Sequence, residues 1–538
     1  MHKFIKNQFA VILFFFILFI IGFFAYDDYG IGIDEDNSRI NGFISLKYIY
    51  EIFNINLLDQ IDGVKLENIS DYGEQGNGVI FDLPLAFLES FFKINDFRNQ
   101  FLLRHFLSYI IFFISLIYFY KLIINKNNSQ ILAVTGVLFL FFSPRIFAQS
   151  FFNPKDVGFM SLCIINMFYG IKYLERKDLK SAIIFSMISG VCVGFRILGL
   201  FIPLIIIFIA WIDKLRDYKN LKKNNSLILL IFSLPLFITF FWPYLWTDPL
   251  NNFVNAFKIL SNHYRPINNL FMGDYVSALY VPWYYVLIWI AITTPIIYLF
   301  LFFVGLFFVL KRLYRRLIKI EANTLNDLWR GKNEKIDLIN LIIIILPIMT
   351  VIIFHSSLYT GWRHLYFIYP FVILISIQGI YLLNLLLFKN LKKIFSIVLI
   401  FTVPIVLWMF KNHPYQYVYF NYFAGKQFSK NFDMDYWGLS NYNALKYLIK
   451  NNQNLISIGI IGNGDIGQSR MFLNKTDKNR IVITDNFKKA DFLIDNFNRW
   501  DGLKKVKKNS IIENNFHIYY EITIDNNPIT RIYRKNIK

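Results

Sequence analysis

Apolar residues in this chain gather into about eleven long runs, and inside a bilayer such runs have one workable backbone, the helix, because each N–H and C=O must be paired internally. The first run is Phe9 to Phe24. Others lie near 106–124, 131–149, 157–174, 181–195, 197–212, 226–246, 283–310, 337–355, 364–387 and 394–411. At 1.5 Å per residue most of them reach across about 30 Å of hydrocarbon. The pair flanking Gly194, Arg196 and Gly199 is short and spans only if its ends reach protein or water. The chain has 538 residues, of which 56% are hydrophobic and only 17% charged, and a soluble globule cannot hide that much apolar surface. Disorder, collagen and coiled coil are excluded by the same composition. Lys3 and Lys6 precede the first run, but no small-residue cleavage pattern follows it, so it reads as a retained span rather than a leader.

Basic residues orient the bundle, since Lys and Arg collect in cytoplasmic loops. With the N-terminus inside, the inner connections hold Lys121 and Lys126; Lys172, Arg176, Lys177 and Lys180; Lys214, Arg216, Lys219, Lys222 and Lys223. They continue with Lys311, Arg312, Arg315, Arg316 and Lys319, then Lys389, Lys392 and Lys393. The first outer loop, 26–100, carries 14 acidic and 5 basic residues. The net charge of +20 therefore belongs to membrane topology, and no nucleic-acid partner is implied. Beyond Lys411, short β-rich runs (Leu455–Ile461, Arg480–Thr484, Asp491–Ile494, Phe516–Ile524) alternate with polar turns. The expected fold is mainly α: a polytopic transmembrane bundle over 1–411 and a soluble α/β domain over 412–538, outside the cytoplasm.

Cys163 and Cys192 sit in apolar runs and make neither a disulfide framework nor a zinc cluster, and the seven histidines show no HExxH spacing. Carboxylates are more informative. Asp27, Asp28, Asp34, Glu35 and Asp36 follow the first span closely, where partial desolvation and mutual repulsion raise proton affinity and suit one of them to general-base work. The same group would accept a divalent cation, or serve as a solvated acidic loop. Asp156, in Asn153-Pro154-Lys155-Asp156, lies where the third span ends and the fourth begins; it reads as a second acid at the same mouth, or as a helix N-cap. Cations cluster toward that face: Arg104 with His105, Arg196 in the Gly194–Gly199 break, His263 with Arg265 in the loop 247–282, and Arg363 with His364. Guanidinium forks match phosphate oxygens, and Arg196, flanked by apolar segments, is costly unless it meets a cavity or an anion. For Arg104 and Arg363 the rival is snorkelling toward headgroups. The aromatic groups Trp242-Pro243-Tyr244-Leu245-Trp246, Pro282-Trp283-Tyr284-Tyr285 and Tyr415 to Phe420 read as interfacial belts.

In order and placement these elements resemble the C-type integral-membrane glycosyltransferases, in particular the dolichyl-phosphate-mannose protein mannosyltransferase family and its aminoarabinose transferase relatives. The likeness rests on Asp34-Glu35 after the first span, Asp156 opening the fourth, Gly194-Phe195-Arg196, Pro282-Trp283-Tyr284-Tyr285 with Thr293-Thr294-Pro295, Tyr359-Thr360-Gly361-Trp362-Arg363-His364, and His413-Pro414-Tyr415-Gln416. It implies transfer of a sugar from a polyprenyl-phosphate donor to a glycan, lipid or protein acceptor outside the cytoplasm, with inversion. Asp34 or Glu35 would match the family's general base and Asp156 its second acid. Arg196 and Arg363 would hold the lipid phosphate, with Arg104, His263, Arg265 and His364 also candidates for substrate contact. Some relatives use a divalent cation and others do not. The expected setting is a bacterial inner membrane, N-terminus cytoplasmic and C-terminal domain periplasmic. The competing expectation is a multi-span transporter or flippase of a lipid-linked or anionic substrate, because Arg196 between two short spans is similar to a broken transport helix.

Overall fold

A computed structural model of the protein describes residues 2–55, 60–62, 64–216, 225–261, 267–318, 329–462, 465–498 and 515–536. The fold is mainly helical, and its long apolar helices make it a multi-pass membrane protein. Among the described residues eight helices are long and apolar enough to span a bilayer, nine if one bent pair counts as a single crossing. The remaining two of the expected runs form shorter apolar helices, Leu179–Phe195 and Ser226–Phe241.

In chain order, α1 (His2–Ala25) is followed by α2 (Glu35–Ile52), the hairpin β1 (Gln60–Ile61) and β2 (Val64–Lys65), and α3 (Asp82–Phe91). Next come α4 (Phe97–Asn127), α5 (Gln130–Phe141), α6 (Pro144–Phe152), α7 (Phe159–Arg176), α8 (Leu179–Phe195), α9 (Phe201–Arg216) and α10 (Ser226–Phe241). A connection holding α11 (Pro249–Ser261) and the hairpin β3 (Asn268–Phe271) and β4 (Asp274–Ser277) leads to α12 (Tyr285–Thr293). The helices α13 (Ile296–Ile318), α14 (Lys332–Ile353), α15 (Tyr369–Leu383) and α16 (Leu391–Lys411) complete the bundle.

Proline and glycine decide where the apolar runs break. The run 131–149 bends by 65° between α5 and α6, at Ser143-Pro144. The run 283–310 is interrupted at Thr294-Pro295, because proline has no N–H to continue the ladder. The carbonyls freed there are not left bare: Asn421 Nδ2 donates to Ala291 O (2.6 Å) and Thr294 O (2.7 Å), and Asn421 N donates to Ile292 O (2.8 Å). α13 and α15 approach closely through Gly305 and Gly379, where a Cβ on either would overlap a carbonyl oxygen of the other helix, Ile375 O or Leu301 O. Gly379→Ala is expected to lower stability by about 1–3 kcal/mol through this overlap, read as a drop in thermal unfolding temperature of the purified chain.

At one end of the bundle charges tie the helices together. Asp337 pairs with Lys126 and with Arg312 (2.7 Å), and Asp213 with Lys335 (2.6 Å) and Lys177 (3.3 Å). Lys219, Lys222, Lys223 and Lys319, expected on the same side, lie outside the described residues.

After α16 the chain first turns back on the bundle. Residues 412–439 pack back on the bundle: Gln416 Oε1 accepts from Tyr29 OH (2.8 Å), Tyr419 O from Arg145 Nε (2.8 Å), and Asp433 is bonded to Leu270. The α/β unit then begins at α17 (Ser440–Asn451), with the small helices α18 (Ile466–Met471) and α19 (Lys475–Lys478). Its strands β5 (Ile456–Ile460), β6 (Ile481–Ile483), β7 (Phe492–Asp495), β8 (Phe516–Ile524) and β9 (Asn527–Lys535) form a sheet in the order β6-β5-β7-β9-β8. The first three are parallel, whereas β9 pairs antiparallel with both neighbours. Phe472 packs between Tyr442 and His105, joining this unit to the start of α4.

Candidate functional site

The end of the bundle opposite the Asp337 network brings together four of the expected residues. Each is fixed by its local chain. Only nine residues, Tyr26 to Asp34, separate α1 from α2, so Asp34 cannot move far from the end of the first span. The connection is pinned by Tyr29, stacked on Phe151 (4.9 Å), by Ile33 N donating to Trp437 O (3.2 Å), and by Gly30, where a Cβ would crowd Leu439 O. Asp34 precedes the first residue of α2, yet its side chain makes no cap bond, which leaves the carboxylate for other partners.

Asp156 stands on a π-helical turn, Pro154–Gly158, between α6 and α7. The cap role belongs to Asn153 rather than Asp156: Asn153 Oδ1 accepts from Asp156 N (3.2 Å), while its Nδ2 donates to Asp156 Oδ2 (2.8 Å). Arg196 ends α8 in extended conformation, before the 3-10 turn Ile197–Leu200. Glycines permit that turn, for a Cβ on Gly199 would strike the backbone of Cys192 and one on Gly78 the backbone of Gly194. Arg363 starts the 3-10 turn leading into α15, behind Gly361 at φ 76°.

The four side chains form one alternating cluster. Arg363 Nη1 donates to Asp34 Oδ2 (3.1 Å) and lies 3.4 Å from Asp156 Oδ2, while Arg196 Nη1 donates to Asp156 Oδ1 (2.5 Å). The Arg363 guanidinium is also held between the rings of Tyr359 (5.0 Å) and Trp437 (4.6 Å). Burial grades the group: the Asp156 side chain is fully buried and that of Arg363 8% exposed, but Arg196 is 24% and Asp34 31% exposed. The cluster thus has a sealed side and a side open to a ligand. It contains two carboxylates and two guanidiniums, so an incoming phosphate meets arginine without a net excess of negative charge.

Other expected residues are placed differently. Glu35 is committed on both oxygens, Oε1 accepting from Gly32 N (2.6 Å) and Oε2 bonded to His105 Nε2 (2.9 Å). Arg104 pairs with Glu89 (2.8 Å), which also binds Arg39 (2.5 Å), a buried ion network apart from the four-residue cluster. His364 packs edge-on against Tyr359 (4.8 Å) and interacts electrostatically with Asp156. His263 and Arg265 lie outside the described residues. No group of three or more His, Cys, Asp or Glu is arranged to hold a metal among the described residues.

Three contributors are given no role in the sequence reading. Trp437 reaches Arg363 from beyond the last span. Asn153 orients Asp156. Gln149 accepts from Asn153 Nδ2 (2.7 Å) and donates to Tyr366 OH (3.0 Å), backing the acid from within. The signal for the last two was present: Arg145, Gln149 and Asn153 recur every fourth residue, a polar stripe on an otherwise apolar helix. Nearby, burial pushes the Asp433 carboxyl up to about 7, although it accepts a bond from Leu270 N. Because the folded state holds this proton more tightly than the unfolded chain, the carboxyl costs stability as pH rises from about 4 to about 7. Asp433→Asn should therefore gain thermal stability over the native chain progressively across that range, with little difference at pH 4.

No protein-family model and no curated protein matches the chain.

Proposed function

We propose that this protein is a membrane glycosyltransferase that moves a sugar from a polyprenyl-phosphate donor to an acceptor outside the cytoplasm, with inversion at the anomeric carbon. One observation carries the reading: Arg363 bridges Asp34 and Asp156, carboxylates from separate loops at one end of an apolar bundle. The reading takes the expected eleven crossings as spans and assigns the Asp337 end, rich in Lys and Arg, to the cytoplasm. The cluster then faces outward, at the level of lipid headgroups.

Of the two acids in the acidic loop, Asp34 suits the base because it is the more accessible and Glu35 is committed to His105 and Gly32. Asp156, buried against two arginines and Asn153, positions Arg196 and Arg363. In the transfer step the acceptor hydroxyl oxygen bonds to the anomeric carbon as its proton passes to Asp34. The carbon–oxygen bond to phosphate breaks, and its electron pair leaves with the polyprenyl phosphate. The donor phosphodiester has one negative charge and the departing monophosphate tends toward two, so Arg196 and Arg363 bind the transition state more strongly than the ground state.

Purified chain in liposomes, given a panel of radiolabelled polyprenyl-phosphate sugars and an envelope extract as acceptor, should consume one donor and release its polyprenyl phosphate. Movement of an intact donor between leaflets with no cleavage would instead favour a flippase and overturn the transferase. Arg196→Ala should lower kcat/KM for the donor by about 10- to 100-fold, the worth of one charge-assisted hydrogen bond, through a lower kcat as well as a higher donor KM, with a smaller change in acceptor KM.

A further inference from the structure

A separate cleft lies against the first outer loop, and no residue that lines it takes part in the transfer step. It has a volume of about 620 Å³ and runs between the first outer loop, α2 and the β1–β2 hairpin, and the α18–α19 region of the C-terminal unit. Clefts of this size between structural units are common ligand sites. Its floor is built rather than incidental. Gln100 is 3% exposed; its Nε2 donates to Ile94 O (2.8 Å), but its Oε1 is buried without a hydrogen-bond partner. An unpartnered buried amide oxygen is costly, and a ligand group that donates a hydrogen bond would satisfy it. Arg39, 2% exposed, also lines the cleft, held there by Glu89 and Asp62.

The lining also fixes the class of ligand. Four acidic residues (Asp36, Asp62, Glu67, Asp96) face four basic ones (Arg39, Lys65, Lys475, Lys478), so neither a polyanion nor a polycation is favoured. Carboxylate, amide and ammonium groups of both hydrogen-bonding senses, flanked by the ring of Tyr72 and by apolar Leu66 and Leu473, match a molecule with many hydroxyls and apolar ring faces. We propose that this cleft binds a neutral oligosaccharide. If the cluster transfers sugar as inferred above, the oligosaccharide is part of the acceptor. Asp36 on the cleft follows Asp34 by two residues, at most about 7 Å along the backbone, so the cleft and the base share one stretch of chain.

Saturation-transfer NMR on the full chain in detergent, without donor, tests this with maltotetraose, cellotetraose and chitotetraose, against tetragalacturonate and tetralysine as charged probes. At least one neutral tetrasaccharide should bind in preference to both charged probes. Its affinity should fall at least tenfold in Gln100→Leu and in Lys478→Trp, the latter a surface change that narrows the cleft without touching the core. The proposal is overturned by absence of neutral saccharide binding, by tighter binding of a charged probe, or by native affinity in Lys478→Trp. Saccharide binding without any donor cleavage would remove the transferase reading and keep the cleft. Donor cleavage without saccharide binding would do the reverse.

Discussion

Asp34→Asn is expected to lower sugar transfer by about 10²- to 10⁴-fold, the usual worth of a positioned general base, while leaving the protein folded. Size and shape are preserved, and the side chain is 31% exposed and makes no helix-cap bond, so little stability depends on its charge. Its one ion pair, with Arg363, is partly screened by solvent at the acid. The loss should appear in kcat with the donor KM changed little, because the proton is taken only as the acceptor attacks. A steady-state assay at saturating donor reads this directly. Unchanged transfer in this variant would remove Asp34 from the chemistry.

Asp156→Ala should behave in the opposite manner, with a large effect on the fold as well as on transfer. The carboxylate is fully buried and receives Arg196, Arg363 and Asn153, so its removal strands the buried Arg363 guanidinium with only Asp34 for an opposite charge. Breaking a buried ion pair from one side costs about 3–5 kcal/mol. Thermal unfolding of the purified variant should show that loss, and a native unfolding temperature would mean that Asp156 does not anchor the arginines. The contrast between the two acids follows from burial alone.

Much of this architecture can be read from the order of residues, because lipid leaves a helix few alternatives. All eleven apolar runs contain helix, and the break expected at Gly194–Gly199 is real; the breaks at Pro144 and Pro295 fall inside runs expected to be single spans. Four of the five strands of the terminal sheet coincide with β-rich runs; β9 was missed, its Pro528 and its charged residues masking the alternation. Asp34, Asp156, Arg196 and Arg363 were legible as candidates because charge beside apolar runs is rare and costly. Their pairing was not, since Arg363 meets Asp34 across 329 residues and no local pattern encodes that distance. For the same reason the sequence hid the return of residues 412–439 over the bundle, which delivers Trp437 to Arg363. Arg104 and Glu35 have the composition of site residues yet are bound by Glu89 and His105, partners that only the fold reveals.

A double-mutant cycle on transfer tests most directly whether the bridged carboxylate and guanidinium act as one catalytic unit. kcat/KM is measured for the native chain, Asp34→Asn, Arg363→Lys and the double variant. If Arg363 works by holding Asp34 and the phosphate in a single arrangement, the double variant should lose at least tenfold less than the product of the two single losses. Losses that multiply to within about twofold would mean that the two residues act independently, and would contradict the site described here.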